Sequence, residues 1–163
     1  MKTRADIVKD LAPNSIVMEL GVAAGCFAID MFKTNPNIQY IGIDRWSDHH
    51  DEAEMYKAID KLKDYAPRVA IMRYSFENAL PLFHDEFADL IYIDGYAHTG
   101  QDNGKTLDDW YPKLKSGGIF AGHDYCNKYQ PTIDAVNAFS NKHNLTLNII
   151  NDGDHPSWWI FKS

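Results

Sequence analysis

Residues 16–28 read IVMELGVAAGCFA. An apolar run of strand length, Ile16 to Leu20, gives way to a glycine-rich turn and then to apolar residues again. Glu19 breaks the run one residue before its end, and Gly21 and Gly25 follow it four positions apart. A buried strand has no use for a carboxylate, and a simple turn needs only one glycine. Glycines after a strand let the backbone approach a ligand closely, and a helix that follows offers free N–H groups to an anion.

The alternation of short apolar runs with longer amphipathic segments continues along the chain. The pattern predicts strands at 15–20, 39–43, 70–74, 88–93, 118–122, 145–150 and 157–161. Leu107, Trp110, Tyr111 and Leu114 recur at the spacing of one buried helical face, with Pro112 set to tighten or end that helix. Ile133, Val136 and Phe139 mark another stripe, with Thr132 as its expected N-cap after Pro131. Runs such as DLIYID are apolar on both faces, as in a parallel sheet covered by helices. The last two runs, LTLNII and SWWIF, are joined by the turn-rich NDGDHP and read as a hairpin. Right-handed crossovers then give an α/β fold, a doubly wound, Rossmann-like sheet in three layers. No repeat or composition break divides it, so residues 1–163 are expected to form one domain.

Composition narrows the functional classes. With 45% apolar and 24% charged residues the chain sits at the globular average. A formal charge of −7, without a lysine or arginine cluster, argues against nucleic acid as a partner. Cys26 and Cys126 form no C-x-x-C pair, so zinc-ribbon and redox motifs are unsupported. The polar start MKTRADIVKD lacks an export signal, and no apolar stretch approaches the ~20 residues of a membrane span. The expectation is a cytoplasmic protein that does not bind membranes.

Doubly wound sheets bind ligands beyond the carboxyl ends of their strands. The polar residues there are Glu19, Gly21 and Gly25 after the first run, Asp44 after the second, and Ser75 and Phe76 after the third. Asp94 follows the fourth, and His123 and Asp124 follow the fifth. A carboxylate 19 positions beyond Gly25 can accept both hydroxyls of a ribose. A pyrophosphate fingerprint needs G-x-G-x-x-G, and Ala23 stands where its middle glycine should be, which counts against a nicotinamide-dependent oxidoreductase. What remains is an acid–x–G–x–x–x–G loop suited to a smaller, zwitterionic tail.

MELGVAAG resembles the first motif of the class I S-adenosylmethionine-dependent methyltransferases, and GIDRW is similar to their second-strand acid. DLIYIDGYAHTG and DDWYPKLKSGGIFAGHDY resemble the small-molecule O-methyltransferase-like group called methyltransferase family 24, and the likeness spans residues 15 to 140. The resemblance implies a seven-stranded sheet with the last strand antiparallel. It implies S-adenosyl-L-methionine as cofactor and O-methylation of a small-molecule acceptor. Gly21 and Gly25 would pass close to the methionine part, and Glu19 would hold the loop or reach the ammonium. Asp44 would grip the ribose beside Arg45 and Trp46, Ser75 and Phe76 would flank the adenine, and Asp94 would face the reacting centre.

Metal-dependent relatives hold a divalent ion such as magnesium with acids after the fourth and fifth strands; here the matching metal ligands are Asp94 and Asp124. His123 departs from that pattern, because an imidazole is a poor magnesium ligand and a reasonable base near neutrality. The catalytic set implied is Asp94, His98, His123 and Asp124. The first two acids either hold a metal or orient the acceptor (Asp94, Asp124), and His123 or His98 takes the proton. A non-catalytic module of the same fold is a further alternative. Few residues precede the first strand, leaving the acceptor pocket open, closed by residues 45 to 56, or closed by a second subunit in a homodimer. Ser47–Asp51 reads as a solvated helix start rather than a metal cluster.

Overall fold

The computed structural model describes Met1–Ser163. A 3-10 helix (Arg4–Val8) leads into β1 (Ile16–Leu20), α1 (Cys26–Thr34), β2 (Gln39–Asp44), α2 (Glu52–Leu62), β3 (Val69–Arg73) and α3 (Phe76–Ala79). The second half runs β4 (Ala88–Ile93), α4 (Gly100–Asn103), α5 (Lys105–Trp110), β5 (Leu114–Gly122), α6 (Gln130–Lys142), β6 (Asn148–Ile150) and β7 (Ser157–Phe161). All seven strands join one sheet in the order β3-β2-β1-β4-β5-β7-β6. The first five pair in parallel, and β7 runs antiparallel to both β5 and β6. The expected three-layer α/β architecture with a reversed last strand is therefore present.

Side-chain alternation along β1 shows why both faces need cover. Met18 and Leu20 enter a core with Phe76, Leu107, Trp110, Val136 and Phe139, beneath α3, α5 and α6. Val17 points the other way, into a core with Phe27, Met31 and Phe32 of α1, Leu62 of α2, and Ile7 and Val8 of the N-terminal 3-10 helix. The tryptophan pair of β7 splits in the same manner: Trp158 is buried in the first core and Trp159 packs against the second.

Some local expectations are corrected. Helix α5 ends at Trp110, a 3-10 turn carries Pro112, and Leu114 already belongs to β5, so the apparent four-residue helical stripe spans three elements. Helix α6 starts at Gln130 with Pro131 in its first turn, and Thr132 lies inside it, donating its hydroxyl to the Ala97 carbonyl at 2.9 Å. A proline in the first turn sacrifices only an N–H that lacks a helical partner anyway. The last hairpin's first strand begins at Asn148 rather than at 145.

The chain winds outward from β1 through β2 to β3, then crosses back to β4 on the other side of β1. The reversal opens a crevice between the carboxyl ends of β1 and β4, which is where such sheets receive ligands.

Candidate active site

The loop leaving β1 is fitted to its neighbours residue by residue. Gly21 has φ +100°, and a Cβ there would lie 2.0 Å from the Asp94 carbonyl oxygen, so the β1 exit rests directly on the β4 exit. Gly25, at φ +72°, begins α1, and its bare side faces α2: a Cβ would stand 3.0 Å from the Ala58 Cα. At Gly25, expected like Gly21 to let the backbone approach a ligand, the missing side chain also serves helix–helix packing.

Asp44 also has a role the sequence does not reveal. Its Oδ2 accepts the Val22 and Ala23 N–H groups at 2.8 and 2.9 Å, and its Oδ1 accepts the Trp46 N–H at 3.0 Å. The buried carboxylate therefore organises the β1–α1 loop, and only its remaining lone pairs are left for a ribose. Ala23 adopts φ +47°, and its carbonyl accepts the Trp46 indole N–H at 2.9 Å. Trp46 is buried against Val22 and Ala58, a clamp on the loop rather than an open wall beside a ribose. Arg45 is exposed and pairs with Asp48 at 2.7 Å.

Glu19 is enclosed within the sheet near the β1 exit. It is buried on the α1 face of the sheet and accepts the Tyr40 hydroxyl at 2.5 Å. Desolvation, together with the nearby charges of Asp94 and Asp44, pushes its carboxyl up to about 8 against the opposing pull of Tyr40 and Arg4. The pair with Tyr40 engages one oxygen of the carboxylate expected to hold the loop or reach a ligand ammonium. Ser75 caps α3, accepting the Asn78 N–H at 3.3 Å. Phe76 is buried, its ring 5.1 Å from that of Tyr96, and a Cβ at Gly95 would meet it at 2.9 Å. These contacts place Phe76 beside the β4 exit.

Beyond β4 and β5 a polar cluster gathers. His123 Nδ1 lies 3.4 Å from Asp94 Oδ1 and 3.4 Å from Asp124 Oδ1, an imidazole between two carboxylates. Asp94 Oδ2 faces Arg4 Nη1 at 3.5 Å, and the Arg4 guanidinium stacks over Phe27, 4.4 Å from its ring centre. His155 Nδ1 meets Asp124 Oδ1 at 2.8 Å. Arg4, His123 and His155 border a cavity of about 340 Å³ together with Asp152, Gly153 and Asp154. His98 is exposed and sits edge-on against Tyr129, with ring centres 4.8 Å apart. Tyr129 in turn separates it from His155, so His98 stands at the rim instead of in the cluster.

The magnesium set expected at Asp94 and Asp124 does not fit. Magnesium demands near-octahedral oxygen ligands. Here the imidazole of His123 stands between the two acids, and Asp94 is turned to Arg4. The other supposed cluster resolves as a helix start: Asp51 caps α2 by accepting the Glu54 N–H, and His50 pairs with Glu54 at 2.5 Å.

Sequence reading missed Arg4 and His155. His155 lies in NDGDHP, taken as mere connection; the clue is the reversed last strand, whose start must abut the end of β5. Arg4 carries no such signal.

A doubly wound sheet with this strand order and a reversed β7 is the fold of the class I S-adenosylmethionine-dependent methyltransferases. A family model described as a methyltransferase domain matches residues 18–125, and the chain belongs to that family, methyltransferase family 24. Among curated relatives, a tRNA (guanine-N(7)-)-methyltransferase of Bacillus licheniformis is 25% identical over 126 residues, covering 77% of this chain and 52% of that protein. A second, from Lachnoclostridium phytofermentans, is 30% identical over 82 residues, 50% of this chain and 36% of that one. The chain spans about half the length or less of these relatives. Of solved structures, a Streptococcus mutans protein assigned as a methyltransferase, in complex with S-adenosylhomocysteine, superposes with TM-score 0.71 at 17% identity. That match covers 98% of this chain and 95% of the other. A Staphylococcus aureus protein assigned as a caffeoyl-CoA O-methyltransferase gives TM-score 0.69 at 19% identity, covering 90% and 76%. At such identities these structures share the fold.

Proposed function

We propose that the chain transfers a methyl group from S-adenosylmethionine to an oxygen of a small-molecule acceptor. One observation carries this reading: the Asp94–His123 pair, at 3.4 Å, stands directly against the glycine loop, since Gly21 packs on the Asp94 carbonyl. A base therefore sits beside the crevice in which the donor's methionine end would lie.

S-adenosylmethionine, when bound, supplies a methyl group already activated by its sulfonium. The chain must then align the acceptor and remove its proton. For a phenol of pKa ~10, ionisation at pH 7 costs about 4 kcal/mol, which a placed base offsets. His123 would accept the acceptor's hydroxyl proton as that oxygen takes the methyl group, the sulfonium leaving as the neutral thioether. Asp94 and Asp124 both face Nδ1 of the imidazole, which leaves Nε2 for the acceptor. Gly21 and Asp94 would border the donor, Asp44 keeps the loop in shape and would offer a lone pair to the ribose, and Phe76 would lie on the adenine side. Arg4 steadies Asp94.

The curated relatives are named for tRNA, which makes nucleic acid the second reading. A net charge of −7 and the absence of a basic cluster favour the small acceptor. A screen with methyl-labelled donor over phenols, sugars, small acids and tRNA tests the two. Label on small hydroxylated acceptors supports the proposal; label on tRNA alone replaces it.

A further inference from the structure

The sheet brings together two loops that are remote in sequence. Gly122 of β5 pairs with Trp158 of β7, so the turn before β7 lies beside the residues leaving β5. Backbone hydrogen bonds hold both in place: Tyr125 N–H to the Pro156 carbonyl at 2.9 Å, and His123 N–H to the Ile93 carbonyl at 3.0 Å. The Arg4 N–H donates to Asp152 at 2.5 Å and ties down the far side of that turn.

In consequence one ligand atom each from His123, Asp124 and His155 lies within 4.8 Å of the others. Asp124 Oδ1 is 2.8 Å from His155 Nδ1 and 3.4 Å from His123 Nδ1. Nitrogen and oxygen donors about 2.0–2.2 Å from a shared ion stand about 2.9–3.5 Å apart at right or tetrahedral angles. The group thus needs little movement to become a coordination shell. Its three side chains are partly buried, and the imidazoles border the cavity of about 340 Å³. Two imidazoles with one carboxylate suit zinc and its first-row neighbours, whereas magnesium selects oxygen.

We infer that His123, Asp124 and His155 form a binding site for a nitrogen-preferring divalent ion of the zinc class, with an open coordination position toward that cavity. The ligand set differs from the Asp94–Asp124 pair implied by the resemblance, and it recruits the turn before β7. An ion on His123 Nδ1 leaves the proton of the neutral imidazole on Nε2 and no lone pair for the methyl-transfer reading's base, so the two states of the cluster exclude each other. Ion binding is measured without donor or acceptor, and it stands or falls separately from that reading.

The test is calorimetric titration of chelator-treated protein with zinc and with magnesium, alongside the visible absorption of the cobalt(II) form. Thermal melts accompany each variant to confirm folding. The wild type and a His50→Ala control bind one zinc per chain, magnesium gives no heat, and cobalt develops ligand-field bands. His155→Ala and Asp124→Asn each weaken zinc at least about tenfold and bleach those bands. Absence of stoichiometric zinc binding in the wild type overturns the inference. So does undiminished affinity in His155→Ala, or magnesium binding that is lost on Asp94→Asn.

Discussion

Glu19 and Tyr40 form a 2.5 Å hydrogen bond in the interior, between neighbouring strands of the sheet. Both groups are fully enclosed, and burial raises the acid to about 8 while holding the phenol well above its ordinary value. Between the unfolded carboxyl value near 4.5 and about 8 the folded protein binds more protons than the unfolded chain. Stability is therefore greatest below that window and falls as pH rises through it. Glu19→Gln keeps an acceptor for Tyr40 and removes the titration. Melting temperature across pH 5 to 8 should decline more steeply for the wild type than for the variant. Parallel curves would contradict the assignment.

Asp44 is the anion at the centre of the β1–α1 loop, and Asp44→Ala leaves the N–H groups of Val22, Ala23 and Trp46 without their acceptor. The expected loss is about 2–4 kcal/mol in denaturant unfolding. Affinity for S-adenosylhomocysteine should weaken by at least about tenfold, because the loop and the ribose acceptor fail together. Wild-type unfolding and binding would show that the carboxylate is dispensable.

Two glycines with similar backbone angles should respond very differently to alanine. At Gly21 a methyl group meets the Asp94 carbonyl at 2.0 Å; at Gly104, φ +84°, nothing lies within 4 Å. Gly21→Ala should cost about 3 kcal/mol or more through clash and strain, and Gly104→Ala about 1 kcal/mol through strain alone. Thermal melts of the two proteins decide the matter, and equal shifts would mean that the β1 and β4 exits are not in contact.

His123 and His98 can be separated kinetically once an acceptor is found. His123→Ala should lower turnover by about a hundredfold or more, with donor affinity unchanged within about twofold. His98→Ala, at the rim against Tyr129, should change turnover by less than about threefold. The reverse ranking would move the base to His98.

How much of this could be read from sequence follows from what each signal depends on. Strands apolar on both faces, such as 88–93, and the turn-rich hairpin near the end depend on local pattern; the strand stands where expected, and the hairpin forms with a shorter first strand. Asp94, His123 and Asp124 were accessible because polar residues after apolar runs must lie at strand ends. The Tyr40 partner of Glu19 and the indole contact of Trp46 were not legible, because strand direction says nothing of which side a terminal side chain takes. Gly25 answers to a methine of α2, and Thr132 to a carbonyl before α4. Arg4 and His155 reach the cluster only through tertiary packing, which no periodicity records.

The most direct measurement is titration calorimetry with S-adenosylhomocysteine and, in parallel, NAD. One equivalent of the sulfur nucleoside should bind per chain, and NAD should give no heat. Binding of NAD with a flat response to S-adenosylhomocysteine would contradict the account.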